Sequence, residues 1–349
     1  MHISSPVFHR RCIVGSGYPS GRLSFPRSVR PSNTAIILEI IRQNPRVSRK
    51  ELSQITGLSP ALVTKICADL LNREMIREVG IGHSSGGRRP IYIELNHEAF
   101  YLMCFYIQDT GVSFAVCDCC GNIILYRKLR DAQRRLTGSA AICRQVRDCL
   151  ASYEAAYSAV GIAVADSLYT SDLEEALREA LADRPLPLLI LRSSFAALRG
   201  MDDQLSSRYA NRAYIHIGPS VYGGILHQDS FLGGSHNRVG CTWDVLEPVR
   251  CLQRELSRQD PDSERCVRWI LQTSHEIARL FDPEIMVLDL FHESISSRLR
   301  QMTKAHILRE TDMDFSILQF PTIFFRGLAN ILASRIRRES ESESEGEVL

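Results

Sequence analysis

Small polar side chains at the start of a helix, with a cation one turn on, supply the chemistry that meets base edges and phosphate oxygens in a DNA major groove. Ser59, Pro60, Ala61, Thr64 and Lys65 have those types at that spacing. Ser48 and Arg49 lie just upstream as candidates for phosphate contact. Arg88 and Arg89 close a Gly- and Ser-rich segment, from which guanidinium groups can follow a phosphate backbone or enter a narrow minor groove. Either arginine also suits a plain solvated loop. Cys117-Asp118-Cys119-Cys120 is the densest run of metal-type ligands, but thiols at a hairpin tip are more often incidental, and no metal is expected there.

The elements that position the first set are legible from their punctuation. Ser48 followed by Glu51 is a capping box, and Leu52 and Ile55 give the helix it opens a small apolar face. Thr56-Gly57 ends that helix, with Gly57 free to adopt the left-handed conformation. Ser59-Pro60 starts the next: serine caps, and proline at the first helical position forfeits an N–H that had no partner. Val63, Ile66, Cys67 and Leu70 then define a buried side and turn Ala61, Thr64 and Lys65 outward. Upstream, Ile36, Ile37, Ile40 and Ile41 recur at helical spacing behind Ser32-Asn33, and Pro45 ends that helix. Downstream, MIREVG and IYIEL are β-prone runs around IGHSSGGRRP, a hairpin that makes the whole a winged helix-turn-helix. The turn alone would also suit an ordinary helical hairpin.

The chain of 349 residues has room for two or three domains, and its 44% hydrophobic content supports real cores. Its apolar runs are too short to cross a bilayer and its first thirty residues lack a secretory core, so a cytoplasmic location is expected, with no membrane partner. Eleven scattered cysteines resemble no disulfide framework; reduced, mostly buried thiols are expected. The net charge of +2 conceals an asymmetry: residues 1–90 hold fourteen Lys and Arg against five Asp and Glu, a net of +9, which leaves −7 for the remainder. A cationic module on an acidic body suits a polyanion at one end only.

Beyond residue 100 β-rich and helical stretches alternate: strands within 102–128 around Asp118 and Gly121, a helix over 139–157, a strand at 160–165, a helix over 172–182, the strand PLLIL, and a helix from Ser194 to Arg199. YIHIG and GGILHQ follow as strands, helices fill 247–281, EIMVLDL is a strand, and 327–338 is a last helix. Together with the capped helix pair, the Gly-Arg-Arg-Pro wing and the Asp-x-x-Gly hairpin in LMCFYIQDTGVSFAVCDCCGNIIL, this order resembles the transcriptional-regulator branch of the ROK family, over roughly residues 33–338. The resemblance implies an α/β fold, an N-terminal winged helix-turn-helix followed by a two-lobed sugar-kinase-like domain of the actin-ATPase type. The domains expected are a disordered arm (1–32), a DNA-binding winged helix (33–96), a degenerate ROK body (97–338) and a disordered acidic tail (339–349).

The kinase chemistry that the family implies is missing. Where ROK kinases have a phosphate turn resembling Asp-x-Gly-x-Thr, this chain has Tyr106-Ile107-Gln108-Asp109-Thr110. The motif resembling Glu-Asn-Asp-Ala-Asn-Ala-Ala-Ala falls on residues 190–197, which puts Arg192 where the catalytic base belongs; an arginine cannot accept a proton from a sugar hydroxyl. The second phosphate loop, resembling Gly-Thr-Gly-Ile-Gly-x-Gly, falls on residues 218–224, where Tyr222 would crowd a nucleotide. The family's Ala-Gly-Glu-x-Gly-His falls on residues 239–244: Cys241 replaces the sugar-contacting glutamate, Asp244 replaces the zinc histidine, and Cys251 stands alone where a three-cysteine loop belongs. Arg192, His236, Asn237 and Asp244 could line a remnant effector cleft, and an anionic effector would fit Arg192 better than a neutral hexose; a cleft closed into core is equally consistent.

The resemblance therefore implies a regulator, a repressor by family type, that binds double-stranded DNA at a palindromic operator as a homodimer or higher oligomer. Its body would have no catalytic residues, no metal and no cofactor, with a sugar or sugar derivative as effector. The rival expectation is an ATP-dependent sugar kinase with an appended DNA-binding module.

Overall fold

The isoleucines at helical spacing form α1 (Asn33–Gln43) in the computed structural model, which describes residues 33–44, 46–81, 89–108, 111–129, 138–153, 157–201, 209–218, 220–228, 230–232, 246–258, 260–290, 292–303, 314–318 and 322–346. Ile37, Leu38, Ile40 and Ile41 are buried against α2 (Arg49–Thr56) and α3 (Pro60–Asn72). A two-residue strand, β1 (Val47–Ser48), was not evident in the sequence; it pairs antiparallel with β3 (Ile91–Leu95), which pairs with β2 (Ile76–Ile81) as the expected wing hairpin. The sheet order is β1-β3-β2.

The body repeats one plan twice. In the first lobe, β4 (Tyr101–Gln108), β5 (Gly111–Asp118) and β6 (Ile123–Leu129) form an antiparallel meander, and β7 (Ala159–Val164) and β8 (Leu188–Arg192) extend it in parallel on the β4 side, giving the order β6-β5-β4-β7-β8. The second lobe has β9 (Asn211–Ile217), β10 (Val221–His227), β11 (Ser230–Phe231), β12 (Ile285–Leu290) and β13 (Asp314–Leu318) in the order β11-β10-β9-β12-β13, again with a parallel half. The parallel connections carry helices, as crossover geometry requires. On the outer face of lobe one, α4 (Ser139–Ala151) and α5 (Ser171–Ala180) bury Val146, Leu150 and Leu177. On the outer face of lobe two, α7 (Glu247–Leu256), α8 (Ser263–Phe281) and α9 (Glu293–Thr303) bury Leu252, Ile270 and Leu299.

Between the sheets lie α6 (Ser193–Arg199) and α10 (Thr322–Gly346), whose residues share one core with the inner faces of both lobes. The two helices touch backbone to backbone: a Cβ on Gly200 would overlap the Ile323 carbonyl oxygen, and one on Gly327 would overlap that of Ala196. Pro31–Leu349 gather into a single unit, and Met75 and Cys120 belong to the edges of both the winged-helix core and the inter-lobe core.

Several expectations change. The helix expected over 139–157 stops at Ala151. The Ser-rich α9 and the short β13 were not anticipated. The last helix starts at Thr322 rather than 327 and runs through residues 339–346, assigned above to a disordered acidic tail; glutamate has high helix propensity, and extending a formed helix costs far less than nucleating one. The expected arm, residues 1–32, lies outside the described residues.

Candidate nucleic-acid interface and inter-lobe cleft

The recognition element is held from both ends. Ser48 Oγ accepts from the Glu51 amide at 3.3 Å while the Glu51 carboxylate accepts from the Ser48 amide at 2.8 Å, so the capping box is complete. Gly57 takes φ +70°, and Ser53 Oγ donates to the Leu58 carbonyl at 2.7 Å, which fixes the turn. Ser59 Oγ caps α3 by accepting from the Leu62 amide at 3.3 Å. Val63, Ile66, Cys67 and Leu70 are buried, and Ser59, Pro60, Ala61, Thr64 and Lys65 are exposed on one stretch of the helix start. Thr64 Oγ1 donates to the Pro60 carbonyl at 2.8 Å, which leaves the hydroxyl oxygen to accept.

Two expected phosphate contacts are placed differently. Ser48 is 5% exposed and its hydroxyl also donates to the Glu51 carboxylate at 2.7 Å, so it positions the helix rather than facing a ligand. Arg49 is half-buried and pairs with Glu78 on β2 at 2.8 Å, a strut between helix and wing. Arg89 is exposed at the base of the wing, and Arg88 lies outside the described residues.

The cleft residues divide likewise. Leu189 and Leu191 of β8 belong to the inter-lobe core and Ile190 to the outer core, so strand alternation turns Arg192 to the outer face, where its guanidinium carbon lies 5.2 Å from the Tyr169 ring centroid. The Arg192 charge also reaches Asp166, whose carboxyl pKa it lowers. His236, Asn237 and Asp244 lie outside the described residues.

What fills the inter-lobe cleft is a buried polar network. Tyr106, at the first phosphate-turn position, and Tyr222, at the second, meet hydroxyl to hydroxyl at 3.0 Å. Tyr106 stacks on Phe324 of α10 at 4.2 Å between centroids, and Tyr222 stacks on His216 at 4.5 Å. His216 Nδ1 stands 2.8 Å from Asp289 Oδ2, which also accepts from the Tyr214 hydroxyl at 2.9 Å. On the other side Asp166 accepts from Ser193 Oγ at 3.0 Å, the Ser194 amide at 2.9 Å and Ser194 Oγ at 2.5 Å. Burial pushes the Asp166 carboxyl up to about 6, against the lowering effect of those serine donors. Burial also raises the Tyr222 and Tyr214 hydroxyls well above the usual tyrosine range, so both are neutral, and Tyr214 donates to Asp289. Gly224, matching one of the phosphate-loop glycines, serves close packing: a Cβ there would stand 2.7 Å from the Phe231 ring and 3.0 Å from Ser194 Cβ. Sequence reasoning missed Asp166, Tyr214, His216 and Asp289. The signal present was weak: Asp166 follows strand VGIAVA, and Tyr214 and His216 alternate on the strand whose neighbour carries Asp289.

Comparison with known proteins agrees with this architecture. The family model for winged helix-turn-helix DNA-binding matches residues 36–77. The chain is 32% identical over 111 residues to the xylose repressor of Bacillus subtilis, covering 31% of this chain and 29% of that protein. It is 37% identical over 73 residues to the DNA-binding transcriptional dual regulator NagC of Escherichia coli, covering 21% of this chain and 18% of that one. Each alignment thus spans less than a third of the relative's length. A crystal structure of a ROK-family transcriptional regulator, a homologue of the E. coli Mlc protein, superposes with a TM-score of 0.61 at 15% identity over 86% of this chain and 96% of its own. The chain has a winged helix-turn-helix and the fold of a ROK-family transcriptional regulator.

Proposed function

We propose that this protein is a cytoplasmic DNA-binding transcriptional repressor whose ROK-type body is catalytically inactive and serves dimerisation and effector sensing. The observation that carries the reading is the exposed start of α3, where Ser59, Pro60, Ala61, Thr64 and Lys65 share one accessible stretch on a helix capped at its first residue. That is the geometry with which a recognition helix enters a major groove. Relatives named as repressors support the regulatory role. Their names, xylose repressor and N-acetylglucosamine repressor, favour a sugar or sugar derivative as effector here. No helix among the described residues is long and apolar enough to cross a membrane.

The Tyr106–Tyr222 contact argues against phosphoryl transfer. Two ring hydroxyls 3.0 Å apart occupy the space between the two phosphate-turn positions, and neither position offers a carboxylate for a magnesium–phosphate complex. Effector binding is assigned to Arg192, His236, Asn237 and Asp244; Arg192 lies over Tyr169 and its charge reaches Asp166. Selection of bound sequences from random duplex DNA, with and without pentoses, hexosamines and their phosphates, tests the proposal. Enrichment of a two-fold-related sequence that one class of sugar releases is the expected result. Failure to enrich any sequence, or turnover of ATP with a hexose in a coupled assay, would overturn it.

A further inference from the structure

The turn between β5 and β6 meets the segment that joins the winged helix to the body. Asp118, 5% exposed, holds the turn: Oδ1 accepts from the Cys120 and Asn122 amides at 2.9 and 2.8 Å, and Oδ2 accepts from Asn122 Nδ2 at 2.8 Å. Gly121 of this turn has φ +80°, and a Cβ there would stand 2.8 Å from Asn330 Oδ1 of α10, so the turn is seated on the body. From the other side, Asn96 donates its amide to the Met75 carbonyl at 3.0 Å and Nδ2 to the Glu74 carbonyl at 2.8 Å, which fixes the joining segment to the winged helix. Cys119 Sγ donates to the Asn96 carbonyl at 3.2 Å, and the next residue, His97, brings Nδ1 within 3.1 Å of Asp118 Oδ2. One donor atom each from His97, Asp118 and Cys120 thereby lies within 4.8 Å of the others.

We propose that His97, Asp118 and Cys120 form a divalent-cation site of the zinc class at the joint between the winged helix and the body. An imidazole nitrogen, a carboxylate oxygen and a thiolate sulfur make a borderline-soft donor set suited to Zn²⁺ or Co²⁺; Mg²⁺ and Ca²⁺ require a shell of oxygens that this corner does not supply. Tetrahedral bonds of about 2.0–2.3 Å place donors roughly 3.3–3.8 Å apart, so the cluster must contract by about an ångström. His97 is half-exposed and Cys120 half-buried, so both can move while Asp118 stays fixed by its three donors. The three protein ligands leave a fourth position for solvent. His97 is 21 residues from Asp118, so only the fold brings the imidazole to the Cys-Asp-Cys-Cys run. The site stands independently of the DNA-binding proposal.

Titration of the full chain, stripped with chelator, with Co²⁺ and then Zn²⁺ tests the assignment. The expected result is one ion per chain, a thiolate-to-cobalt charge-transfer band in the near ultraviolet, and displacement of that band by Zn²⁺. Cys120→Ser and His97→Ala should each lose the band, while Cys119→Ser and Cys251→Ser retain it. Zn²⁺ should also raise the unfolding midpoint of the parent chain and of Cys251→Ser but not of His97→Ala, a readout that separates a lost ligand from a misfolded variant. No band in the parent chain, or a band that survives both Cys120→Ser and His97→Ala, would overturn the site. A loss in Cys119→Ser equal to that in Cys120→Ser would overturn the three-residue ligand set.

Discussion

Ser48 and Lys65 show how one helix pair separates holding from touching. Ser48 spends its hydroxyl on the cap and is buried, whereas Lys65 is exposed one turn into α3. Ser48→Ala should cost about 1 kcal/mol of stability, the usual worth of a cap, and leave the salt dependence of DNA binding unchanged. Lys65→Ala should do the reverse: urea midpoints hold, affinity falls, and the slope of log K against log salt drops by about one as one phosphate contact is lost. Equal slopes for Lys65→Ala and the parent would remove Lys65 from the phosphate contacts. Asp166 makes a different residue-scale prediction, because its folded pKa of about 6 lies above the roughly 3.9 of an unfolded chain. A raised carboxyl favours the folded state while protonated, so that contribution is full below about pH 4 and is lost as pH rises through about 6. At about 1.4 kcal/mol per pH unit the swing is on the order of 3 kcal/mol. Asp166→Asn keeps the shape and removes the titration, so its stability relative to the parent should improve across that window. Urea denaturation at about pH 4 and about pH 7.5 measures this, and a difference that does not vary with pH would contradict the raised value.

At the scale of elements, the crossing of α6 and α10 is what makes two lobes one body. Because Gly200 and Gly327 let the helix backbones meet at the Ile323 and Ala196 carbonyls, an added methyl has backbone rather than a flexible side chain to displace. Gly327→Ala should therefore cost at least the roughly 1–3 kcal/mol of ordinary overpacking, seen as a lower denaturant midpoint. A midpoint within error of the parent would mean the crossing is looser than the geometry implies. The contrast with α2 and α3 explains what the sequence could show. Caps, breaks and apolar periodicity are local, so Ser48, Gly57, Ser59 and Val63 announced their roles. The Gly200–Gly327 contact, the Tyr106–Tyr222 pair and the Asp166 serine cradle join residues far apart in the chain, and no local pattern encodes them. The motif comparison did identify Tyr106 and Tyr222 as misfits for nucleotide, but not that each would satisfy the other. For Arg192 the motif match ignores strand parity: its distance from Ile190, two residues, sets its face, and its guanidinium lies over Tyr169 while its charge reaches Asp166.

The whole molecule carries its charge in two parts, +9 over residues 1–90 and −7 over the rest, which in the proposed complex would turn the cationic end toward DNA and the acidic body away from it. One winged helix reads only a few base pairs, so the proposed repressor would gain specificity from a second copy whose recognition helix is related to the first by two-fold symmetry. The winged helix meets the body where the Cys119 thiol donates to the Asn96 carbonyl, itself tied to Glu74, and in the proposed dimer this seating would fix the separation of the two helices rather than leave it to a slack tether. An operator selected by this protein should therefore tolerate changes in spacing poorly. Inserting about five base pairs between its half-sites, half a helical turn, places the second half-site on the opposite face of the duplex and should reduce affinity to that of a single half-site. Inserting about ten restores the face but lengthens the separation by roughly 34 Å, and a body of fixed geometry should not span the difference. Mobility shifts on the three operators decide the matter: equal affinity for the parent and either insertion would show that the two winged helices move independently, and the two-fold, rigidly spaced dimer would have to be abandoned.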